Sequence, residues 1–293
     1  MPAECLEALA VRPGGFYADV TLGGGGHSRL ILDRLGAGGG LLCLDLDPEP
    51  LEAALGWAGD DPRVVLRRGS FADLPDHLSA AGFPPLDGIL ADLGASSRQM
   101  LSPARGLTFM SDGPLDMRLD PDGPVTAADL VNSLPETELA DLVYRLGGER
   151  ASRKLAAEIV RRRRAKPFAT TLELAEAARR VVRPPRSGRR IHPATRLFLA
   201  LRIAVNGELD ALAALLSKAR PALAPGGRLA VMSFHSLEDR MVKELFRPGP
   251  GDLPRLWDPL WKKPLVPGRD EELRNPRSRS AKLRAAARTG FEP

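Results

Sequence analysis

The chain has 293 residues, ample for one large domain or a domain carrying an insertion, and its 43% hydrophobic and 27% charged content is that of a folded globular protein. Two cysteines exclude a disulfide framework, the four scattered histidines give no metal-ligand spacing, and the absence of a charged-then-apolar leader or a long uncharged apolar stretch predicts a cytoplasmic protein that needs no metal. The net charge of +5 is concentrated: from Arg150 to Arg202, 16 Lys and Arg stand against three acids, so one region at +13 carries the basic surface and the remainder is at −8.

In chain order, Phe16 to Thr21 reads as a short strand, Gly23 to Gly26 as a turn, and Ser28 to Leu35 as a helix with the apolar spacing of one packed on a sheet. Leu41 to Asp45 is a second strand ending in a carboxylate. Prolines and acids at Pro48-Glu-Pro-Leu-Glu52 open the next helix, as the helix dipole prefers. Arg63 to Arg67 and Leu86 to Gly94 are the third and fourth strands, the third leading into Gly69-Ser-Phe-Ala-Asp73. Strands alternating with helices predict a parallel sheet with ligands at the carboxyl ends of its strands, where Gly23 to His27, Asp45, Phe71 and Asp92 all fall.

From about Pro103 the pattern changes to turns and then helices. Ser133-Leu-Pro-Glu136 has capping-box spacing and predicts a helix to Leu146, closed by Gly147-Gly148. Ala151 to Ala165, a helix capped by Thr170-Thr-Leu-Glu173, and Pro193 to Val205 follow. The sheet pattern resumes with a helix from Glu208 to Leu223, a turn at Pro225-Gly-Gly227, a strand from Arg228 to Ser233 and a helix from Leu237 to Phe246. Residues 247–276 carry no clear pattern. By propensity, Ala281 to Arg288 reads as a helix.

Four consecutive glycines let the backbone take positive φ and let a ligand lie against its N–H groups, and Asp45 stands where a carboxylate accepts ribose hydroxyls. The run is not G-x-G-x-x-G, and Asp19 precedes it. That acid repels a pyrophosphate but suits a cofactor carrying an ammonium and a sulfonium, so the pocket reads as one for S-adenosylmethionine. A nicotinamide oxidoreductase would share the strand, turn and carboxylate but needs the missing glycine pattern.

Asp19-x-Thr-x-Gly-x-Gly-Gly-His27, Arg105-Gly-Leu-Thr-Phe-Met-Ser-Asp-Gly-Pro-Leu-Asp-Met-Arg118, Ser233-Phe-His-Ser-Leu-Glu-Asp-Arg240 and Asn275-Pro-Arg-Ser-Arg-Ser280, in this order, resemble the small-subunit ribosomal RNA cytosine-N4 methyltransferase family, also called MraW or RsmH. The resemblance runs nearly end to end. One departure is the family's His-x-x-Val segment before the first helix, which does not precede Pro2 here and leaves any amino-terminal cofactor contact unassigned. The resemblance implies a Rossmann-like class I methyltransferase sheet (1–104 and 207–293) with an inserted α-helical, RNA-recognising domain (105–206). It makes the last segment, 281–288, an antiparallel strand. It also implies S-adenosylmethionine as cofactor, with Gly25, Gly26, His27, Asp45, Phe71, Asp92 and Gln99 as contacts beside Asp19. The substrate it implies is the decoding region of 16S ribosomal RNA in the small subunit.

The chemistry of methylating an exocyclic amine asks for an oxygen acceptor that draws one N–H out of the ring plane. Asp92, in Ala91-Asp-Leu-Gly-Ala-Ser-Ser97, is the candidate, although the Pro-Pro-aromatic that follows such a residue in other amino-methyltransferases is missing. His27, at a helix amino end, is expected to stay neutral and to orient the loop or touch the cofactor. His235 is open between a site role and a structural one, and His77 and His192 read as surface or cap residues. Arg161 and Arg164, with Arg183, Arg186, Arg189 and Arg190, are the expected RNA phosphate contacts, though consecutive arginines point around a whole helix and cannot all face one ligand. A non-catalytic RNA-binding assembly factor, or a methyltransferase for another nucleic acid, would share these basic residues; the first would need no cofactor pocket.

Overall fold

The structure, a computed structural model, describes residues 1–183, 192–247 and 255–291. It divides into two compact units, Met1–Gly94 with Leu209–Pro293, and Ala95–Glu208. No described helix is long and apolar enough to cross a membrane.

The first unit is a seven-stranded sheet. Its strands are β1 (Phe16–Asp19), β2 (Gly40–Asp45), β3 (Val64–Arg68), β4 (Leu86–Asp92), β5 (Leu223–Ser233), β6 (Trp257–Pro259) and β7 (Lys282–Arg288), in the spatial order β3-β2-β1-β4-β5-β7-β6. The pairs from β3 through β5 are parallel, and β7 runs antiparallel between β5 and β6. This is the class I methyltransferase arrangement of a Rossmann-like sheet. The strand order reverses between β1 and β4, which opens the crevice where such sheets bind ligands. Both faces are covered, so β2 is apolar without interruption: Leu42 and Leu44 join the core on one face with Ile89 and Val231, while Leu41 and Cys43 join Leu90 and Met232 on the other.

One segment of this unit departs from the sequence reading, and a second follows the family resemblance against its own propensity. The expected turn at Pro225-Gly-Gly227 lies inside β5, whose pairing with β4 shifts between Leu86↔Leu223 and Gly88↔Arg228; the glycines form a bulge within the strand. The alanine-rich 281–288 is a strand and not a helix, because it pairs on both edges and buries Leu283, Ala285 and Ala286. Propensity yields there to tertiary pairing. Asp239 fixes this strand, accepting from Lys282 Nζ at 2.8 Å and Arg284 Nε at 2.7 Å. Within 247–276, β6 and a short helix, Arg269–Arg274, are defined.

The second unit packs helices Ala127–Ser133, Glu136–Gly147, Ser152–Arg163, Thr171–Val181 and Thr195–Asn206 around Leu139, Val143, Leu155, Ile159, Leu174, Ala178, Leu197 and Leu201. Spacings of three and four put these side chains on one face of each helix. This unit begins at Ala95, and Ala95 and Met100 pack against its core. The box read at Ser133 does not form: Pro135 occupies the cap position of Glu136–Gly147, and Ser133 ends an earlier helix capped by Thr126 and Asp129. The box at Thr170 and Glu173 forms as read.

Candidate cofactor and substrate site

β1 ends at Asp19, and the chain turns through the glycines into helix Gly26–Leu32. Gly23 and Gly25 take φ of 49° and 71°, the left-handed region that glycine enters without strain. A Cβ on Gly25 would meet the Trp57 ring at 3.0 Å, whereas one on Gly24 or Gly26 would meet nothing within 4 Å. The fold itself therefore requires glycine at 25, while Gly24 and Gly26 leave open space at the turn.

Asp19 is 1% exposed. Its Oδ1 accepts from Thr21 N–H at 3.2 Å and its Oδ2 from the Ser28 hydroxyl at 2.6 Å, so it ties the strand end to the helix beyond the turn. Burial pushes its carboxyl above the usual carboxylate range, with His27 and these hydrogen bonds acting the other way. The Cys43 thiol, against Ser28 Oγ at 3.4 Å, is also pushed up by burial and is a small hydrophobe. Asp45 ends β2 with Oδ2 accepting from Gly23 N–H at 2.9 Å and Oδ1 from Asp47 N–H at 3.0 Å. The Asp45 carboxylate is thus fixed by the glycine turn itself.

Phe71 opens a single 3₁₀ turn, Phe71–Asp73, capped by Ser70, and is half-buried against the sheet core. His77, read from the sequence as a surface or cap residue, is half-buried. Its ring lies where a Cβ on Gly69 would sit, and its Nε2 is buried. Gly69 in turn donates to Asp45 O at 2.9 Å, which links this turn to the end of β2.

Asp92 ends β4 beside β1. Its backbone N–H donates to Thr21 Oγ1 at 2.6 Å, so the threonine of the glycine motif, given no role by the sequence reading, sets where the carboxylate begins. Asp92 Oδ2 is 3.9 Å from His27 Nδ1. Asp92 Oδ1 and His27 Nε2 are buried and have no hydrogen-bond partner among the described residues. Burial, then the negative charge of Asp19 and Glu238, pushes the Asp92 carboxyl up to about 7, the chain's amino terminus offsetting part of this. Burial also pushes the His27 imidazole down, which keeps it neutral against the pull of Asp19. An acceptor oxygen left unmatched in the interior is costly unless a ligand matches it.

The remaining predicted residues are placed differently. Gln99 belongs to the helical unit, in helix Ser97–Leu101, where its side chain accepts from Ser96 N–H at 2.8 Å in a capping box. His235 caps helix Ser236–Phe246, with Nε2 3.1 Å from Glu238 Oε1, while Glu238 Oε2 accepts from the N–H groups of Phe234 and His235. Arg161 is exposed and paired with Glu158 at 2.9 Å, which also takes Arg162 at 2.7 Å. Arg163 is turned inward to the carbonyls of Val131 and Leu134, both at 2.7 Å. Arg164 and Arg183 are exposed. Arg186, Arg189 and Arg190 lie outside the described residues.

The profile of the MraW methylase family matches residues 1–289. Among characterised sequences, the ribosomal RNA small subunit methyltransferase H of Syntrophobacter fumaroxidans is 50% identical over 99% of this chain and 95% of its own length. The proteins of the same name from Sorangium cellulosum and Koribacter versatilis are 50% and 49% identical, over 98% and 97% of this chain and 89% and 91% of their own.

Proposed function

Because the chain belongs to the MraW methylase family, we propose that it transfers a methyl group from S-adenosylmethionine to the exocyclic N4 of a cytidine in the decoding region of 16S ribosomal RNA, on the small subunit. The cofactor supplies an electrophilic methyl on a sulfonium centre. Asp19 contributes a negative field suited to its ammonium, Gly25, Gly26 and His27 the close backbone approach, Asp45 an acceptor for ribose hydroxyls, and Phe71 an apolar face for adenine. Gln99, held in its capping box, is retained as a contact on the family resemblance alone.

The observation that carries the reading is the buried, unmatched Oδ1 of Asp92 at the end of β4. The cytosine amine is a weak nucleophile because its lone pair is delocalised into the ring. An oxygen that accepts one N–H out of the ring plane frees that lone pair, by positioning and electrostatics. With a pKa near 7, Asp92 is ionised just above neutrality and is also basic enough to take the proton N4 loses on methylation. The basic stretch 150–202, including Arg161, Arg164, Arg183, Arg186, Arg189 and Arg190, supplies charge for RNA phosphates. A ribosomal substrate accords with a cytoplasmic location.

The test is to incubate the protein with labelled S-adenosylmethionine and either small subunits lacking the modification or naked 16S RNA, then to digest and identify the labelled nucleoside. N4-methylcytidine from subunits is expected. A donor that binds while no cytidine is labelled would overturn the substrate, and absence of donor binding would overturn the pocket.

A further inference from the structure

The segment Arg105–Arg118 has no part in the chemistry above. Most of it serves the helical core: Leu107, Leu115 and Met117 are buried, Arg118 pairs with Asp116 at 2.7 Å and donates to Gly123 O at 2.8 Å, and Asn206 bridges Met117 O and Leu119 N. The middle of the segment behaves differently. Phe109 is half-buried, and Met110 is 84% exposed.

Phe109 is the centre of a ladder of three rings. It meets Phe198 of the core edge to face, with centroids 5.0 Å apart and planes at 78°. Against Phe109 lies the imidazole of His192, centroids 4.5 Å apart and planes only 22° from parallel. His192 is exposed. Its ring is oriented by a second constraint, because Nδ1 accepts from Ala194 N–H at 3.1 Å while its carbonyl accepts from Thr195 N–H at 2.9 Å, just before helix Thr195–Asn206. Capping a helix start needs only a short side chain with an acceptor, such as Asn, Asp or Ser. An exposed ring held flat on a phenylalanine offers something a cap does not require, an oriented π surface. Such faces are how RNA-binding proteins hold unpaired bases, since every base can stack and no reorganisation is needed.

We propose that His192, backed by Phe109, is a stacking platform for one unpaired base of the RNA substrate. The inference rests on the RNA-methyltransferase reading and adds to it a base contact beside the expected phosphate contacts.

The test uses single-stranded RNA of the 16S decoding-region sequence carrying one 2-aminopurine, moved through successive positions, with wild-type protein and two variants. His192→Asn keeps an acceptor for Ala194 N–H and removes the ring; His192→Phe keeps the ring and removes the acceptor. Wild type and His192→Phe are expected to quench the probe at one position. His192→Asn should lose that quenching and bind about fivefold or more weakly, the scale of one base stacked on a ring, with an unchanged melting midpoint. Quenching and affinity retained in His192→Asn would overturn the platform and leave His192 a cap. So would equal losses in the two variants, or no quenched position in wild type. If wild type methylates cytidine and yet shows no quenched position, only this inference falls; if it labels no cytidine, the underlying reading falls.

Discussion

The two units treat their polar groups in opposite ways. At the carboxyl ends of β1 and β4, the sheet unit buries Asp92 Oδ1 and His27 Nε2 without a partner among the described residues, and burial pushes the Asp92 carboxyl up to about 7. The helical unit spends its charges. Glu158 takes Arg161 and Arg162, Glu173 takes Lys166, Glu176 takes Arg179 and Arg180, and Arg163 closes the end of a neighbouring helix. Unspent hydrogen-bonding capacity at the strand ends is what singles Asp92 out as the candidate. A run of arginines marks a ligand only after the ones consumed by the fold are set aside.

The largest effect that would break this contrast is at the glycine turn. Gly26→Val adds a side chain where nothing lies within 4 Å, so the fold should be kept while S-adenosylmethionine binding, by calorimetry, falls on the order of a hundredfold, about 2.7 kcal/mol. Unchanged affinity would move the cofactor away from the turn. Gly25→Val, with its positive φ and the Trp57 ring at 3.0 Å, should lose stability as well.

Asp92 gives the next effect, in both activity and stability. Its carboxyl must be ionised to take the proton that N4 loses, so kcat/KM for the free enzyme should rise with pH through about 7, near tenfold per unit below it. A flat profile from pH 5.5 to 8 would remove Asp92 from the reaction. For stability the sign is opposite. The folded-state pKa is raised, so the contribution is fully present below the unfolded value near 4 and is lost as pH rises through 7. Asp92→Asn should therefore melt above wild type at pH 8, by about 2–4 kcal/mol, with the gap closing toward pH 4.

Smaller effects sharpen the other half of the comparison. Arg163→Ala should cost about 1–3 kcal/mol of stability, since two carbonyls lose a charged donor, without changing the salt dependence of RNA binding. Arg164→Ala and Arg183→Ala should each leave stability alone and lower the salt slope by about one. The reverse pattern would mean that the exposed arginines, and not Arg163, belong to the fold.

What the sequence disclosed follows the same division. The glycine turn, Asp45 and Asp92 are legible because a cofactor pocket demands particular residues at fixed distances along a βαβ unit, and β2 is legible as an unbroken apolar run. The role of Thr21 was hidden because its hydroxyl acts on a strand 71 residues away. β7 was legible through the family resemblance and not through propensity, because alanine and lysine favour helix until two neighbouring strands claim the backbone. The partial burial of His77 was hidden because nothing local tells that its ring fills the space left by Gly69. Among the arginines, sequence gives the charge but not which guanidinium turns toward a carbonyl.

The most direct measurement on the central claim is single-turnover methyl transfer by Asp92→Asn, alongside its S-adenosylmethionine affinity. Asn keeps the shape of the side chain but removes the charge and the basicity. If the charge and basicity of Asp92 drive loss of the N4 proton, the transfer rate should fall about 10²–10⁴-fold while cofactor affinity stays within about threefold. Equal losses in rate and affinity would contradict this and leave Asp92 a ligand of the cofactor.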